Sequence, residues 1–143
     1  MIVLDTNVLS ELMRAAPEPQ VVNWLRNQPM PQLATTTVNV AEINYGLARL
    51  PEGRRRRELE QKFSSFLSRG LAGRIFDFDP VAADLFGDIM VAREKAGRRL
   101  EGYDGLILAI AKSHGAGIAT RNVTDFDGCG VNITNPWVST PQS

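Results

Sequence analysis

Three acidic side chains stand in apolar company, far apart in the chain: Asp5, Glu42 and Asp104. Asp5 closes the opening run MIVL and is followed at once by Thr6 and Asn7. Glu42 is flanked by Ala41 and Ile43, and Asp104 stands immediately before GLILAIA. None belongs to a charge run with an evident partner four residues away. Each alone has a plain structural reading: a capped turn after a strand, a solvated helix residue, a helix N-cap. Together they pose an energetic problem, because buried carboxylates are costly and like charges raise one another's pKa. A divalent cation reverses that penalty. Mg²⁺ or Mn²⁺ takes hard oxygen ligands, usually one or two carboxylates with waters and a substrate phosphate. A helix beginning at Asp104 adds partial positive charge that favours the ionised form. Three carboxylates from distant segments around such a cation suit the hydrolysis of a phosphodiester.

Whether the three meet depends on the elements that carry them. Ile2 to Leu4 reads as a short buried strand of a mostly parallel sheet, ending at Asp5. In open parallel sheets the carboxyl ends of strands are where ligands bind. Thr6 or Asn7 caps a helix carrying Val8, Leu9 and Leu12, and a second helix runs from about Glu18 to Asn27. QLATTT is the next strand, with Thr36 or Thr37 capping the helix that bears Glu42 beside Val40, Ile43, Leu47 and Leu50. A helix from about Arg54 to Arg69 turns Leu59, Phe63, Phe66 and Leu67 inward, and RIFDFD follows as a strand. Pro80 opens another helix, which Gly97 ends. YDGLILAIAKSHG is a helix apolar nearly all round, with Gly115 at its C′ position. GIATRN and GVNITNPW supply the last strands. This alternation predicts an α/β fold, a central mostly parallel sheet flanked by helices.

Composition narrows the class. At 143 residues, 43% hydrophobic and 22% charged, the chain is expected to form one domain, 1–143, with a real core. No apolar run approaches the roughly 20 residues of a membrane span, and no signal-peptide pattern opens the chain, so a cytoplasmic protein is expected. Cys129 is alone, which rules out an intrachain disulfide framework or a cysteine zinc cluster and leaves it a packing or turn role. Sixteen basic residues balance 16 acidic ones, which excludes a uniformly basic nucleic-acid surface but not a local patch. Arg54 to Arg57 form one basic block, and Arg93, Lys95, Arg98 and Arg99 a second; the plain reading of each is a solvated helix face. His114 is the only histidine and falls at a helix end, so no histidine-pair ribonuclease mechanism fits within one chain.

IVLDTNVLSEL, TTTVNVAEINYGLARL, GYDGLILAIAKSHGAGIATRNVTDF and VNITNPW, in that order, resemble PIN-domain proteins, particularly the VapC/FitB-like toxins of type II toxin–antitoxin systems. The resemblance covers essentially the whole chain. It implies a PIN fold, three-layer α/β/α, with a Mg²⁺- or Mn²⁺-dependent endoribonuclease site at the strand ends. Position by position, Asp5, Glu42 and Asp104 match the family's three principal acidic residues, and the fourth acidic position falls on Asn122. An amide there still orients a water or ligates through its oxygen, but adds no negative charge, so the number of metal ions stays open. Asp125 either substitutes for it or caps the DFDG turn. Thr6 and Thr120 match small hydroxyl residues near the site, and Arg121, with the first arginine block, falls where RNA phosphates are met. The implied partners are RNA, a second copy in a homodimer, and a VapB/FitA-like antitoxin whose C-terminal segment covers the cleft and through which the complex binds promoter DNA. The groove for that segment is expected among apolar helix faces, including the Phe63–Phe66 region. Two other readings stand beside this one. A catalytically weak PIN-like protein would act with its antitoxin mainly as a DNA-binding autoregulatory complex. An aspartyl-phosphate enzyme would use Asp5 as nucleophile, but Asn7 takes the place of its second carboxylate.

Overall fold

Alternating side chains on the central strand dictate two helical layers. In the computed structural model, which describes residues 1–138, β1 spans Ile2–Leu4. Val3 and Leu4 are both fully buried on opposite faces, as a two-residue side-chain period requires. After β1 come α1 (Thr6–Met13), α2 (Pro19–Arg26), β2 (Leu33–Thr36), α3 (Thr37–Ala48) and α4 (Arg54–Ser65). The second half adds β3 (Ile75–Phe76), α5 (Pro80–Lys95), α6 (Asp104–Ser113), β4 (Gly117–Ala119), α7 (Val123–Phe126) and β5 (Ile133–Thr134). The five strands are all parallel in the order β3-β2-β1-β4-β5. Ile2 lies opposite both Leu33 and Gly117, and Leu4 opposite Ala119.

Val3 and Ile118 point into one core with Ile107, Leu108 and Ile110 of α6 and Ile89 of α5. Leu4, Leu33 and Ala119 point into the other, with Val8 and Leu9 of α1, Val21 of α2, Ile43 of α3 and Phe63 of α4. The expected three-layer α/β/α arrangement follows. Successive strands step away from β1 to β3 on one side, and the chain then returns to place β4 on the other side of β1. The crevice between the carboxyl ends of β1 and β4 is therefore the topological switch point, where open parallel sheets bind ligands.

Local departures from the sequence expectations have physical causes. The cap of α1 is Asp5, not Thr6 or Asn7: it leaves β1 still extended, and its carboxylate accepts the Thr6 N–H at 2.9 Å. Thr36 is the cap of α3, accepting the Asn39 N–H at 3.1 Å. The helix expected to reach Arg69 leaves α geometry after Ser65 for a π turn over Phe66–Gly70, in which the Leu71 N–H reaches back to Phe66 O and buries Leu71 fully. The last strand shrinks to Ile133–Thr134, because Pro136 and Trp137 turn the chain over α1. Arg93, expected on a solvated basic face, is buried instead; its guanidinium donates to the carbonyls of Asp125 at 2.7 Å and of Asp127 and so ties down the α7 loop. The first arginine block does face solvent, where Arg54 pairs with Glu58 at 2.9 Å and Arg56 with Glu60 at 2.7 Å along α4. His114 ends α6 and stacks on Phe76 with ring centroids 3.8 Å apart, and Gly115 takes the positive φ of 62° expected of a C′ residue. Half-buried Cys129 packs on the α6 core. No helix among the described residues is long and apolar enough to cross a membrane.

Candidate active site at the β1–β4 crevice

Asp5 occupies the floor of the crevice and is 5% exposed. Its backbone N–H extends the β1–β4 ladder by donating to Ala119 O at 3.0 Å. The side chain is held by three donors. Oδ1 accepts from the Thr6 N–H and from Asn39 Nδ2, each at 2.9 Å, and Oδ2 accepts from Thr120 Oγ1 at 2.7 Å. A carboxylate so fastened is a rigid, charged oxygen pair aimed from a strand end.

Glu42 comes from α3 and is joined to Asp5 through two small side chains. Thr6 Oγ1 donates to Glu42 Oε1 at 3.0 Å, while Asn39 Nδ2 donates to Thr6 Oγ1 at 3.0 Å. Partial burial raises the Glu42 pKa, the Thr6 hydroxyl pulls it back, and the charge of Asp5 raises it again. Asp104 is the first residue of α6, behind an N-cap, Tyr103, that offers no side-chain hydrogen bond. Gly105 lets α6 start close to α5: a Cβ there would meet Met90 Sδ at 2.7 Å and a Phe86 ring carbon at 3.0 Å, so any larger residue would require the Met90 side chain to move. The Asp104 carboxyl is pushed up to about 6, first by burial and then by the charges of Asp5, Asp125 and Glu42. The three acids line one cleft of about 510 Å³, and Asn122 lines it with them.

Asn122 and Asp125 part company. The Asn122 N–H donates to Thr120 Oγ1 at 3.1 Å, and its side chain, unused as a cap for α7, stands in the cleft with the acids. Asp125 lies on α7 and lines a neighbouring cleft of about 560 Å³ that shares only Asp104 with the first. Its charge reaches Asp104, but its carboxylate is not at the Asp5 floor. Thr120 is fully buried and acts as a hub: besides serving Asp5 and Asn122, its hydroxyl oxygen accepts from Asn7 Nδ2 at 3.2 Å. Arg121 follows, its backbone N–H donating to Asn7 Oδ1 at 3.1 Å and its guanidinium lying over the Trp137 ring, 5.1 Å from the centroid.

Sequence reasoning missed Asn39. It is fully buried, its Nδ2 links Asp5 to Thr6, and its Oδ1 accepts the Thr36 hydroxyl at 2.7 Å. The signal was the three-residue spacing from Asn39 to Glu42, which puts both on one face of α3. Glu11 was missed too. Burial pushes its carboxyl up, but the Glu18 N–H, Arg14 at 2.8 Å and, more weakly, the Trp137 indole lower it by more. Phe63, expected near a docking groove, is buried in the core and Phe66 packs half-buried against it. The groove that does adjoin Glu42 is lined by Ile43, Leu47 and Leu50, with Leu59 and Arg55 of α4.

The donor set suits a small hard cation. It consists of carboxylate oxygens with an amide beside them, and two of the acids are left with raised pKa values that a positive charge would lower. Among the described residues no three acidic, histidine or cysteine side chains stand close enough to hold a metal by themselves. That is compatible with an ion such as Mg²⁺, which keeps several waters and needs only one or two direct carboxylates.

A family model described as PIN domain matches residues 2–127. The chain belongs to the PIN-domain family. Within it, the relatives are of the VapC/FitB kind. The VapC ribonuclease Y4jK of Sinorhizobium fredii is 39% identical over 137 residues, covering 96% of this chain and 98% of the relative. Toxin FitB of Neisseria gonorrhoeae is 34% identical over 137 residues, covering 96% of this chain and 99% of FitB. Among solved structures, FitAB bound to an IR36 DNA fragment contains a chain 33% identical that superposes with a TM-score of 0.92, each chain covered in full. The PIN fold expected from the sequence is thus the fold observed.

Proposed function

We propose that this PIN-domain protein is the toxin of a type II toxin–antitoxin system, a Mg²⁺- or Mn²⁺-dependent endoribonuclease acting in the cytoplasm and neutralised by a VapB/FitA-like antitoxin. The observation that carries the reading is the cleft in which Asp5, Glu42 and Asp104 converge from three elements at the switch point. The kinship with proteins named VapC ribonuclease and toxin FitB supports the same class.

In this reading Asp5 and Asp104 hold the cation, with Glu42 joining directly or through a water. Bound there, the ion supplies positive charge against the scissile phosphodiester and acidity to an attacking water. Asp5 is kept from rotating by its three donors, so the ligand geometry is set before substrate arrives. Glu42, its pKa raised by partial burial and by Asp5, is suited to take a proton from the attacking water while Thr6 orients it. Asn122 orients a water or a phosphate oxygen, Thr120 locks Asp5, and Arg121 meets RNA phosphate. Asp125 acts at the margin, through its charge on Asp104. The antitoxin's C-terminal segment takes the groove beside Glu42, and two copies of the toxin pair within a complex that reaches promoter DNA through the antitoxin. FitAB has been solved on DNA.

The test is RNA cleavage by antitoxin-free protein in Mg²⁺ and in EDTA, with Asp5→Ala alongside. Cleavage that requires the metal and is lost in Asp5→Ala supports the proposal. Cleavage in neither protein, with no metal binding by calorimetry, replaces it with the binding-protein reading. The amide at position 122 has its own consequence. Adding a charge there is expected to tighten Mn²⁺ binding, so Asn122→Asp should bind roughly tenfold more tightly by calorimetry. Unchanged or weaker affinity would remove Asn122 from the metal's surroundings.

A further inference from the structure

Two arginines line the acidic cleft, and neither pairs with Asp5, Glu42 or Asp104. Arg14 is engaged by Glu11 at 2.8 Å, and Arg121 lies over Trp137. Among the described residues no ion pair joins either one to Asp5, Glu42 or Asp104. Electrostatics alone favours the opposite, since a free guanidinium beside three carboxylates gains by folding onto them. The contacts of Arg121 identify what holds it off. Its main chain is fixed by the bond to Asn7 Oδ1, and its guanidinium meets the face of the indole. Trp137 is itself anchored. Its backbone N–H donates to Asn135 Oδ1 at 2.9 Å, and its ring packs half-buried on the core that contains Leu4, Val8 and Leu9. Its indole is also turned to Glu11, the residue that holds Arg14.

We propose that Trp137 is the positioning residue for Arg121: the indole face parks the guanidinium at the cleft rim, where it meets an RNA phosphate beside the scissile one, and keeps it off the carboxylates that take the cation. The proposal rests on the ribonuclease reading and adds to it a division of labour. One charge is reserved for substrate, three for metal, and an aromatic ring keeps them apart. Removing the ring face has two consequences. RNA loses an oriented cation, and the released arginine competes with the metal for Asp5 and Asp104. The second effect is cured by removing the arginine as well, which no merely structural role of Trp137 accounts for.

The experiment compares wild type, Trp137→Leu, Trp137→Phe, Arg121→Ala and the Trp137→Leu/Arg121→Ala double variant. RNA binding is followed by anisotropy of a labelled single-stranded oligonucleotide in excess Ca²⁺, and Mn²⁺ binding by calorimetry without RNA. Trp137→Leu is expected to weaken RNA binding about tenfold and Mn²⁺ binding about fivefold. Adding Arg121→Ala should restore Mn²⁺ affinity and weaken RNA binding no further, because the two residues act as one unit. Trp137→Phe, which keeps an aromatic face, should stay within about twofold on both. If Trp137→Leu does not fold, Trp137→Met takes its place. Wild-type RNA affinity in the leucine variant, losses that multiply in the double variant, or Mn²⁺ affinity that Arg121→Ala does not restore would each overturn the proposal, as would an oligonucleotide that binds none of the proteins. Absent hydrolysis by the wild type in Mg²⁺ counts against the ribonuclease reading instead.

Discussion

Replacing Asp104 with asparagine is expected to lower RNA cleavage by roughly a thousandfold, about 4 kcal/mol in the barrier, while making the metal-free protein more stable above pH 6. Both effects come from one charge. The Asp104 carboxyl is raised from 3.8 to about 6 by burial and by its acidic neighbours, so the folded protein binds this proton more tightly than the unfolded chain does. Its contribution to stability is therefore full below pH 3.8, declines as pH rises towards 6, and stays at its lowest above that. Solvent reaches the half-buried group and screens it, which limits the penalty to about 1–2 kcal/mol, or roughly 3–8 °C in melting temperature for a domain of this size. Thermal melts from pH 4 to 8 check this. The variant should melt above the wild type at pH 7.5 and with it at pH 4, and Mg²⁺ should stabilise the wild type alone. A variant less stable than the wild type at pH 7.5 would show that Asp104 is not held there against repulsion.

Asn39→Leu is expected to cost about 3 kcal/mol of folding stability and to reduce RNA cleavage as well. The residue is fully buried, and leucine of similar size removes all of its side-chain hydrogen bonds at once while keeping the main-chain bond to Thr36. Asp5 loses one of three donors, Thr6 loses the amide that orients its hydroxyl towards Glu42, and the buried Thr36 hydroxyl loses its acceptor. Bonds to a charged group and orphaned buried polar atoms are the costly kind. Urea unfolding gives the stability, and kcat on an RNA substrate gives the second effect. Asn39→Asp separates packing from charge: it keeps the shape but faces Asp5 with a second carboxylate, so its deficit should be larger at pH 7 than at pH 4. Equal stability of Asn39→Leu and wild type would mean that the network does not fasten Asp5.

The sequence exposed the acids better than it exposed what holds them. Asp5, Glu42 and Asp104 stood out because a charge beside apolar neighbours conflicts with its surroundings, and the fold answers that conflict by gathering them in one cleft. The strand–helix alternation was legible for the same reason: Val3 and Leu4, or Ile107 to Ile110, are hydrophobic enough to declare burial. Asn39 carried no such signal, since an amide within a helix is unremarkable until its partners arrive from 33 and 34 residues away. The helix Val123–Phe126 spans too few residues to show a period and is anchored by Phe126 and by Arg93 from a different helix. Arg93 itself read as one of a solvated basic block because sequence shows charge and not the carbonyls that await it. The place of Asp5 as helix cap was hidden by Thr6 and Asn7, both ordinary capping residues, although the extended residue that follows β1 already carried a charged acceptor.

The central claim is that Asp5 and Asp104, with Glu42 directly or through a water, hold a divalent cation on which RNA hydrolysis depends. An anomalous difference map from crystals of the antitoxin-free protein grown with Mn²⁺ tests it most directly. The expected result is a single peak in the cleft in contact with the Asp5 and Asp104 carboxylates, with Glu42 bound directly or through a water, and no peak there in Asp104→Asn crystals. A cleft without a peak in protein that cleaves RNA in Mn²⁺, or a peak held elsewhere in the molecule, would contradict it.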